Sequence, residues 1–198
     1  MITLSTLGFG EFAPTTMGMR LASAGQGLIG FVLLTAVISW LLGVFPVLSR
    51  QRALAQEVDL LRRHEEQIGA SVSWGTTSMA GYLLADLTQR VIAAESDLTH
   101  TPVVYYFAEA ERRASLPVAV AFLLQHARLL REDAASPELR FHGELLERAV
   151  TKLAIAIGEV FLPGDVGTVH EVLVAWANDH GRGPEARRAL AGEPLQTR

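Results

Sequence analysis

The sequence contains no cysteine, and this absence excludes disulfide scaffolds, thiolate zinc sites and thiol nucleophiles together. Lysine is nearly absent too: Lys152 is the only one, and arginine supplies the other basic residues, a bias that fits a GC-rich bacterial genome. A basic surplus is also missing, since the formal net charge is −4 and the sequence pI is near 5.9. The composition therefore predicts that nucleic acid is not a partner.

Motifs of soluble enzymes and of nucleotide-binding domains are missing as well. The six histidines show none of the short spacings typical of metal sites, and no serine stands in a nucleophile elbow. Strand patterns do not alternate with helical ones, and the sequence has neither a Gly-x-Gly-x-x-Gly turn nor a phosphate loop. We therefore expect an all-α protein that is not an enzyme and that holds no metal or organic cofactor.

Charged residues are absent from Leu21 to Ser49. A helix needs about 20 apolar residues to cross a hydrocarbon core of about 30 Å, so this run is long enough to span a membrane. A buried helix of a soluble protein is the alternative, but helices that are apolar on every face at this length are rare in small domains. A cleavable signal peptide would need a basic start, whereas Glu11 is the only charged side chain in residues 1–18.

Basic residues flank this apolar run unequally. Arg50, Arg52, Arg62 and Arg63 follow it, whereas only Arg20 lies just before it. Because loops rich in arginine and lysine stay in the cytoplasm, the carboxyl side is predicted to be cytoplasmic and the protein to reside in the cell membrane.

A short motif, Thr6-Leu7-Gly8-Phe9-Gly10-Glu11, stands ahead of the apolar run. Ion selection by backbone carbonyls requires successive oxygens that point the same way, and such a backbone needs unusual torsions that glycine reaches without steric cost. Gly8 and Gly10 occupy alternate positions accordingly, and the Thr6 hydroxyl can add an innermost oxygen ring. Glu11, at the outer end, can attract cations to the mouth.

This motif resembles the Thr-x-Gly-Tyr/Phe-Gly-Asp signature of the tetrameric potassium-channel pore loop, and the architecture resembles the prokaryotic two-transmembrane potassium channels. The resemblance covers residues 1 to about 50 and includes Pro14, the apolar run and a glycine at the family's hinge position. It implies a homotetramer in the lipid bilayer that passes potassium passively, with K⁺ as the permeant ion. The implied ion-coordinating residues are Thr6, Leu7, Gly8, Phe9 and Gly10, with Glu11 at the outer mouth and Gly30 as the gating hinge.

Three positions depart from the family pattern. Phe9 replaces the commoner tyrosine and removes a hydroxyl that could fasten the filter, so conductance and inactivation are expected to differ while potassium selectivity is kept. Glu11 replaces aspartate, which moves the carboxylate outward by a methylene group. Pro46 lies too far beyond Gly30 to be carried over as the helix-bending proline of voltage-gated relatives, and we expect it to end or kink the apolar helix at the cytoplasmic surface.

The apolar run differs between its two halves. Small residues crowd the outer half, where helices can approach closely. Apolar residues at three- and four-residue spacing follow, and they could line a pore or contact another helix, with lipid as the alternative environment. This stripe consists of Phe31, Leu34, Val37, Ile38 and Leu41.

A pore-loop subunit also needs an outer helix and a pore helix before its filter, and only Met1 to Ser5 precede Thr6. We therefore expect an amino-terminally truncated channel subunit. The alternative is a non-conducting accessory protein, or a helical signalling or scaffold membrane protein.

The predicted organisation has four parts. They are the selectivity filter and outer mouth (1–18), the transmembrane inner helix (19–50), a helical cytoplasmic domain (51–180) and a weakly ordered tail (181–198). In the cytoplasmic part, amphipathic patterns between turn residues predict a continuation of the first helix and five more helices. These lie near 50–68, 77–94, 103–113, 116–132, 137–161 and 166–179.

Two features of this domain carry further expectations. Apolar residues recur on one face of the helix near 137–161, and that face is expected to be core. It comprises Leu145, Ala149, Leu153, Ala154 and Ile157. Three consecutive aromatic residues, 105–107, follow a turn, and they are expected to pack as core, with a ligand or partner pocket as the alternative.

Overall fold

The computed structural model describes residues 15–68, 79–107, 115–133, 136–162, 164 and 167–194. Within these residues every regular element is helical, which confirms the all-α prediction. The elements are α1 (Met17–Ile68), α2 (Ala80–His100), a 3-10 helix (Pro102–Tyr106), α3 (Leu116–Asp133), α4 (Pro137–Phe161), α5 (Val169–Asp179) and α6 (Gly183–Ala191). The chain divides into two compact units, Met1–Pro46 and Val47–Arg198, and α1 contributes residues to both.

The described part of the first unit is the amino-terminal portion of α1. Helix forms through the whole charge-free run, so its backbone N–H and C=O groups can pair within the helix, as a bilayer requires. Thr35 donates its hydroxyl to the Phe31 carbonyl at 2.9 Å, which satisfies that polar side chain locally. Most large apolar side chains between Leu28 and Phe45 are exposed. By length and composition, α1 can cross a membrane.

Pro46 lies inside α1 and does not end it, because the helix continues to Ile68. Proline has no backbone N–H, so the carbonyl of Leu42, four residues earlier, loses its usual helical partner. The division between the two compact units falls directly after Pro46.

The core of the second unit is built around α3. Side chains on nearly all faces of α3 are buried, and Val120, Leu123 and Leu124 are 0% exposed. α4 approaches it closely at Gly143, where an added Cβ would lie 3.0 Å from the Leu130 Cβ and 3.1 Å from the Ala127 carbonyl oxygen. One hydrophobic core contains residues from every helix of this unit and from the 3-10 helix.

The portion of α1 after Pro46 is amphipathic, as the sequence predicted. Leu54, Ala55 and Val58 are buried in the core of the second unit at three- and four-residue spacing. On its polar side, Arg62 pairs with Asp59 and Glu66 one helical turn away. This portion of α1 is therefore a structural part of the helical domain.

The limits of α3 and α4 agree with the predicted helices to within one residue. α5 begins three residues later than predicted, because Thr168 caps it. The Thr168 side chain accepts the Glu171 N–H, and the Glu171 carboxylate accepts the Thr168 N–H. The predicted core face of α4 needs one correction: Leu145 is 40% exposed, whereas the neighbouring Leu146 is 0% exposed.

The segment predicted to be a weakly ordered tail contains α6, so the prediction was wrong for residues 183–191. Ala186, Ala189 and Leu190 are buried against the core. Gly192 ends the helix in the left-handed conformation, with φ 71°. The prediction failed because charged residues stand between the small buried ones, so the composition of this helix is that of a solvent-exposed segment.

The aromatic segment also differs from expectation. The structure has a short 3-10 helix at 102–106 where a helix near 103–113 was predicted, and residues 108–114 of that prediction lie outside the described residues. Tyr105 is buried, as expected of core, but Tyr106 is 75% exposed and Phe107 is 48% exposed. One of the three aromatic side chains is therefore core.

Candidate ion-conducting segment

The predicted filter and outer mouth lie outside the described residues. This holds for every residue of the implied ion-coordinating set and for the mouth carboxylate. These residues are Thr6, Leu7, Gly8, Phe9, Gly10 and Glu11. Their assignment stays a prediction from the sequence.

Gly30, the predicted hinge, lies within α1 and is buried. At about 100° per residue, it shares one face of the helix with Leu34, Val37 and Leu41 of the stripe. Those three side chains are 51%, 60% and 55% exposed in the single chain. The structure thus places the buried hinge candidate on the same helix face as three residues of the stripe, whose side chains a single chain leaves exposed.

The opposite face of α1 carries glycines with free space around them. Gly25 and Gly43 lie there by the same helical geometry, and a Cβ added at either would meet nothing within 4 Å. These positions provide matched controls for substitutions at the glycines predicted to form the filter and the hinge.

An ion pair joins α1 to α2 just beyond the charge-free run. Arg50 donates from Nη2 to Asp97 Oδ1 at 2.7 Å and from Nε to Asp97 Oδ2 at 3.2 Å, a two-point contact. Because Arg50 is 56% exposed, the pair contributes little stability.

A second polar contact of α1, this one with α3, is buried. His126 Nδ1 lies 3.1 Å from the Phe122 carbonyl oxygen, within hydrogen-bonding distance. Its Nε2 lies 2.8 Å from Glu65 Oε2. This polar contact ties the carboxyl end of α1 to the central helix α3.

The end of the 3-10 helix packs into an aromatic cluster with α4 and α5. Tyr105 stacks on Phe161 with ring centroids 4.2 Å apart and donates its hydroxyl to Asp179 Oδ2 at 2.7 Å. Burial and then this hydrogen bond raise the pKa of Tyr105, so its hydroxyl stays protonated. His180 meets the Tyr105 ring edge-on, with centroids 5.3 Å apart.

His180 gives this cluster an acid-sensitive group. Burial lowers its pKa below the ordinary 6.5, although a hydrogen bond with the Tyr105 backbone and the charge of Asp179 act in the opposite direction. The unfolded chain therefore binds a proton at this histidine at higher pH than the folded chain does. This contribution to folding stability is present above pH 6.5 and is lost as the pH falls below it.

We expect His180→Gln to weaken the acid dependence of stability. The thermal midpoint of the wild-type chain in detergent should fall more steeply between about pH 7 and about pH 5.5 than that of the variant. His64→Gln, at an exposed histidine of α1, should keep the wild-type slope. Equal slopes for wild type and His180→Gln would show that His180 does not supply this dependence.

Among the described residues, no group of three or more histidine, aspartate or glutamate side chains is placed to hold a metal ion.

One comparison with known proteins found a similarity, and it concerns the amino-terminal part of the chain. Residues 1–45 match the family model of the ion channels. No curated protein and no solved structure matches the chain.

The ion-channel match covers the predicted filter motif, Gly30 and most of the charge-free run. Together with the long apolar helix, it supports an ion-channel function and a place in a membrane, and a transport role rather than an enzymatic one. We refer to residues 1–45 as the ion-channel segment.

Several contacts outside the ion-channel segment had no signal in the sequence. Tyr105 and Asp179 are 74 positions apart, and Glu65 and His126 are 61 positions apart, so no local spacing pairs them. The capping box of α5 did have a signal, because Thr168 and Glu171 form the pattern Thr-x-x-Glu.

Proposed function

We propose that this chain is a subunit of a potassium-selective channel that passes K⁺ passively across a membrane. The observation that carries the proposal is the sequence Thr6-Leu7-Gly8-Phe9-Gly10, which stands ahead of the charge-free run and inside the ion-channel match. An ion-channel function is supported by the match itself. Selectivity for potassium is inferred from the filter residues.

In this proposal the carbonyl oxygens of the filter replace the water around a K⁺ ion. Thr6, Leu7, Gly8 and Phe9 supply these oxygens, the Thr6 hydroxyl adds the innermost ring, and Gly10 lets the backbone leave the filter. One chain contributes one quarter of each oxygen ring, so we propose a homotetramer. Glu11, at the outer mouth, raises the local cation concentration.

The structure of α1 fits a pore-lining role in that tetramer. The stripe is an uncovered apolar face, and in a tetramer it can line the inner pore or contact neighbouring helices. Gly30 lies on the same face, where a bend would change the separation of four such helices. We propose Gly30 as the gating hinge on this basis.

The proposed orientation places the second unit in the cytoplasm and the ion-channel segment in the cell membrane. Arginines follow the charge-free run within one to three residues and lie on the carboxyl side, as the positive-inside rule requires of a cytoplasmic flank. The helical domain would then lie on the cytoplasmic side of the pore.

Measuring ion selectivity tests this function. The assembled channel is reconstituted in a bilayer with unequal K⁺ and Na⁺ concentrations on the two sides, and the reversal potential is recorded. We expect it to follow the K⁺ gradient and to be insensitive to Na⁺. A current that follows both gradients equally would refute potassium selectivity, and absence of any current would favour the non-conducting accessory or scaffold protein.

A further inference from the structure

Two neighbouring aromatic side chains at one end of the second unit are exposed. Tyr106, the last residue of the 3-10 helix, is 75% exposed, and Phe107 is 48% exposed. The Tyr106 ring meets Phe161 of α4 edge to face, with ring centroids 6.3 Å apart. We refer to Tyr106 and Phe107 as the aromatic patch. Single exposed apolar side chains are common on soluble domains, so the position of the patch is the informative property.

The aromatic patch lies beside the end of the charge-free run. Residues 47–49 of that run belong to the second unit itself. Leu48 and Phe107 line one small cavity of this unit, so the two residues lie close together. Arg50, the first charged residue after the run, bonds to Asp97 near the end of α2, and the 3-10 helix begins directly beyond that end. The patch is therefore at the level at which α1 acquires its first charge.

The other end of α2 lies much further from the charge-free run, because α2 is antiparallel to this part of α1. Arg90, seven residues before Asp97, pairs with Glu57, seven residues after Arg50. Tyr82 lies fifteen residues before Asp97, which corresponds to about 22 Å along the helix axis. Tyr82 is 76% exposed. The unit thus has exposed aromatic side chains at both ends of α2, and those of the aromatic patch adjoin the charge-free run.

Aromatic side chains suit the boundary between lipid headgroups and acyl chains. Tyrosine combines an apolar ring with a polar tip, and aromatic residues are enriched at this boundary. Interfacial apolar groups are buried about 5–10 Å into it. A charged side chain is costly inside the hydrocarbon, so α1 leaves the hydrocarbon near Arg50. Side chains at the level of Leu48 and Arg50 therefore meet the boundary.

We propose that the aromatic patch inserts into the headgroup region of the membrane that α1 crosses. Phe107 packs against the upper part of the acyl chains, and the Tyr106 ring lies at the headgroups with its hydroxyl toward water. The patch thereby holds the second unit to the membrane at a point separate from the covalent connection through α1. This inference rests on the placement of α1 in a membrane and does not depend on ion conduction.

The depth of the patch can be measured with spin labels, because the chain contains no cysteine. Tyr106→Cys and Phe107→Cys carry a nitroxide in the patch, and the full chain is reconstituted in phosphatidylcholine vesicles. Electron paramagnetic resonance gives the collision rates of each label with oxygen, which enters hydrocarbon, and with a nickel chelate, which stays in water. Tyr82→Cys is the matched control, since Tyr82 and Tyr106 are 76% and 75% exposed. Val32→Cys reports the insertion of α1.

We expect the ratio of oxygen collisions to nickel-chelate collisions to rank the four positions by depth. It should be highest at Val32→Cys, within the charge-free run, and lowest at Tyr82→Cys. The ratio at Phe107→Cys should exceed that at Tyr82→Cys severalfold, and the ratio at Tyr106→Cys should lie between these two. Circular dichroism establishes that every labelled variant is folded.

Three results would overturn the proposal. A ratio in the patch equal to that at Tyr82→Cys, with a high ratio at Val32→Cys, would mean that the patch lies in water although α1 spans the membrane. Low collision rates with both reagents in the patch would mean that protein covers it. A ratio at Val32→Cys equal to that at Tyr82→Cys would contradict the membrane placement itself, and the proposed function would fail together with this inference.

Discussion

Replacing Gly8 with alanine is expected to abolish potassium conduction by the assembled channel. The proposed filter needs backbone torsions that residues with a β-carbon rarely adopt, and such strain costs about 1–3 kcal/mol per residue. The substitution occurs once in each of four subunits, so the strain around one oxygen ring reaches about 4–12 kcal/mol. Since about 1.4 kcal/mol is a factor of ten, a cost of at least about 4 kcal/mol should lower potassium flux by about 700-fold or more.

The control for this experiment is Gly43→Ala. Gly43 lies within α1, where a Cβ meets nothing within 4 Å, and alanine favours helix over glycine by about 1 kcal/mol. Potassium flux, normalised to the amount of protein in the membrane, should match wild type. Size-exclusion chromatography in detergent establishes that both variants assemble. Normal potassium-selective flux through Gly8→Ala would contradict the assignment of the filter.

The sequence predicted the structure best where a single local rule determines the limits of a helix. The charge-free run from Leu21 to Ser49 predicts its helix by length and composition alone, and the structure has a helix throughout. α3 and α4 each have a proline in their first turn, at Pro117 and Pro137, where proline is best tolerated in a helix. Their predicted limits therefore fall within one residue of the observed ones.

The sequence predicted the structure least well where the burial of a residue depends on which helices pack together. Both Leu145 and Leu146 stand in a helical apolar pattern with later residues of α4, and the pattern alone does not choose between them. Packing against α2 and α3 decides, and it buries Leu146 together with Val150, Leu153 and Ile157. Tertiary packing likewise orders α6, whose buried face consists of one glycine, two alanines and one leucine and therefore carries a weak apolar signal.

Truncating Leu146 to alanine is expected to destabilise the second unit by about 3 kcal/mol, because the deleted atoms leave a cavity in a packed core. Leu146 is 0% exposed and lies in the core to which every helix of the unit contributes. At about 2–4 °C per kcal/mol for a unit of this size, the thermal midpoint should fall by about 6–12 °C. Near-ultraviolet circular dichroism of the full chain in detergent, which reports aromatic packing, gives the midpoint.

Leu145→Ala is the matched control, since it removes the same atoms from the adjacent position of α4. Leu145 is 40% exposed, so its truncation should change the free energy of unfolding by less than about 1 kcal/mol. A larger loss from Leu145→Ala than from Leu146→Ala would mean that α4 presents the face predicted from the sequence. That result would mean that α4 packs with a rotation of one residue relative to the structure described here. Such a rotation would also move Gly143 away from its close contact with α3.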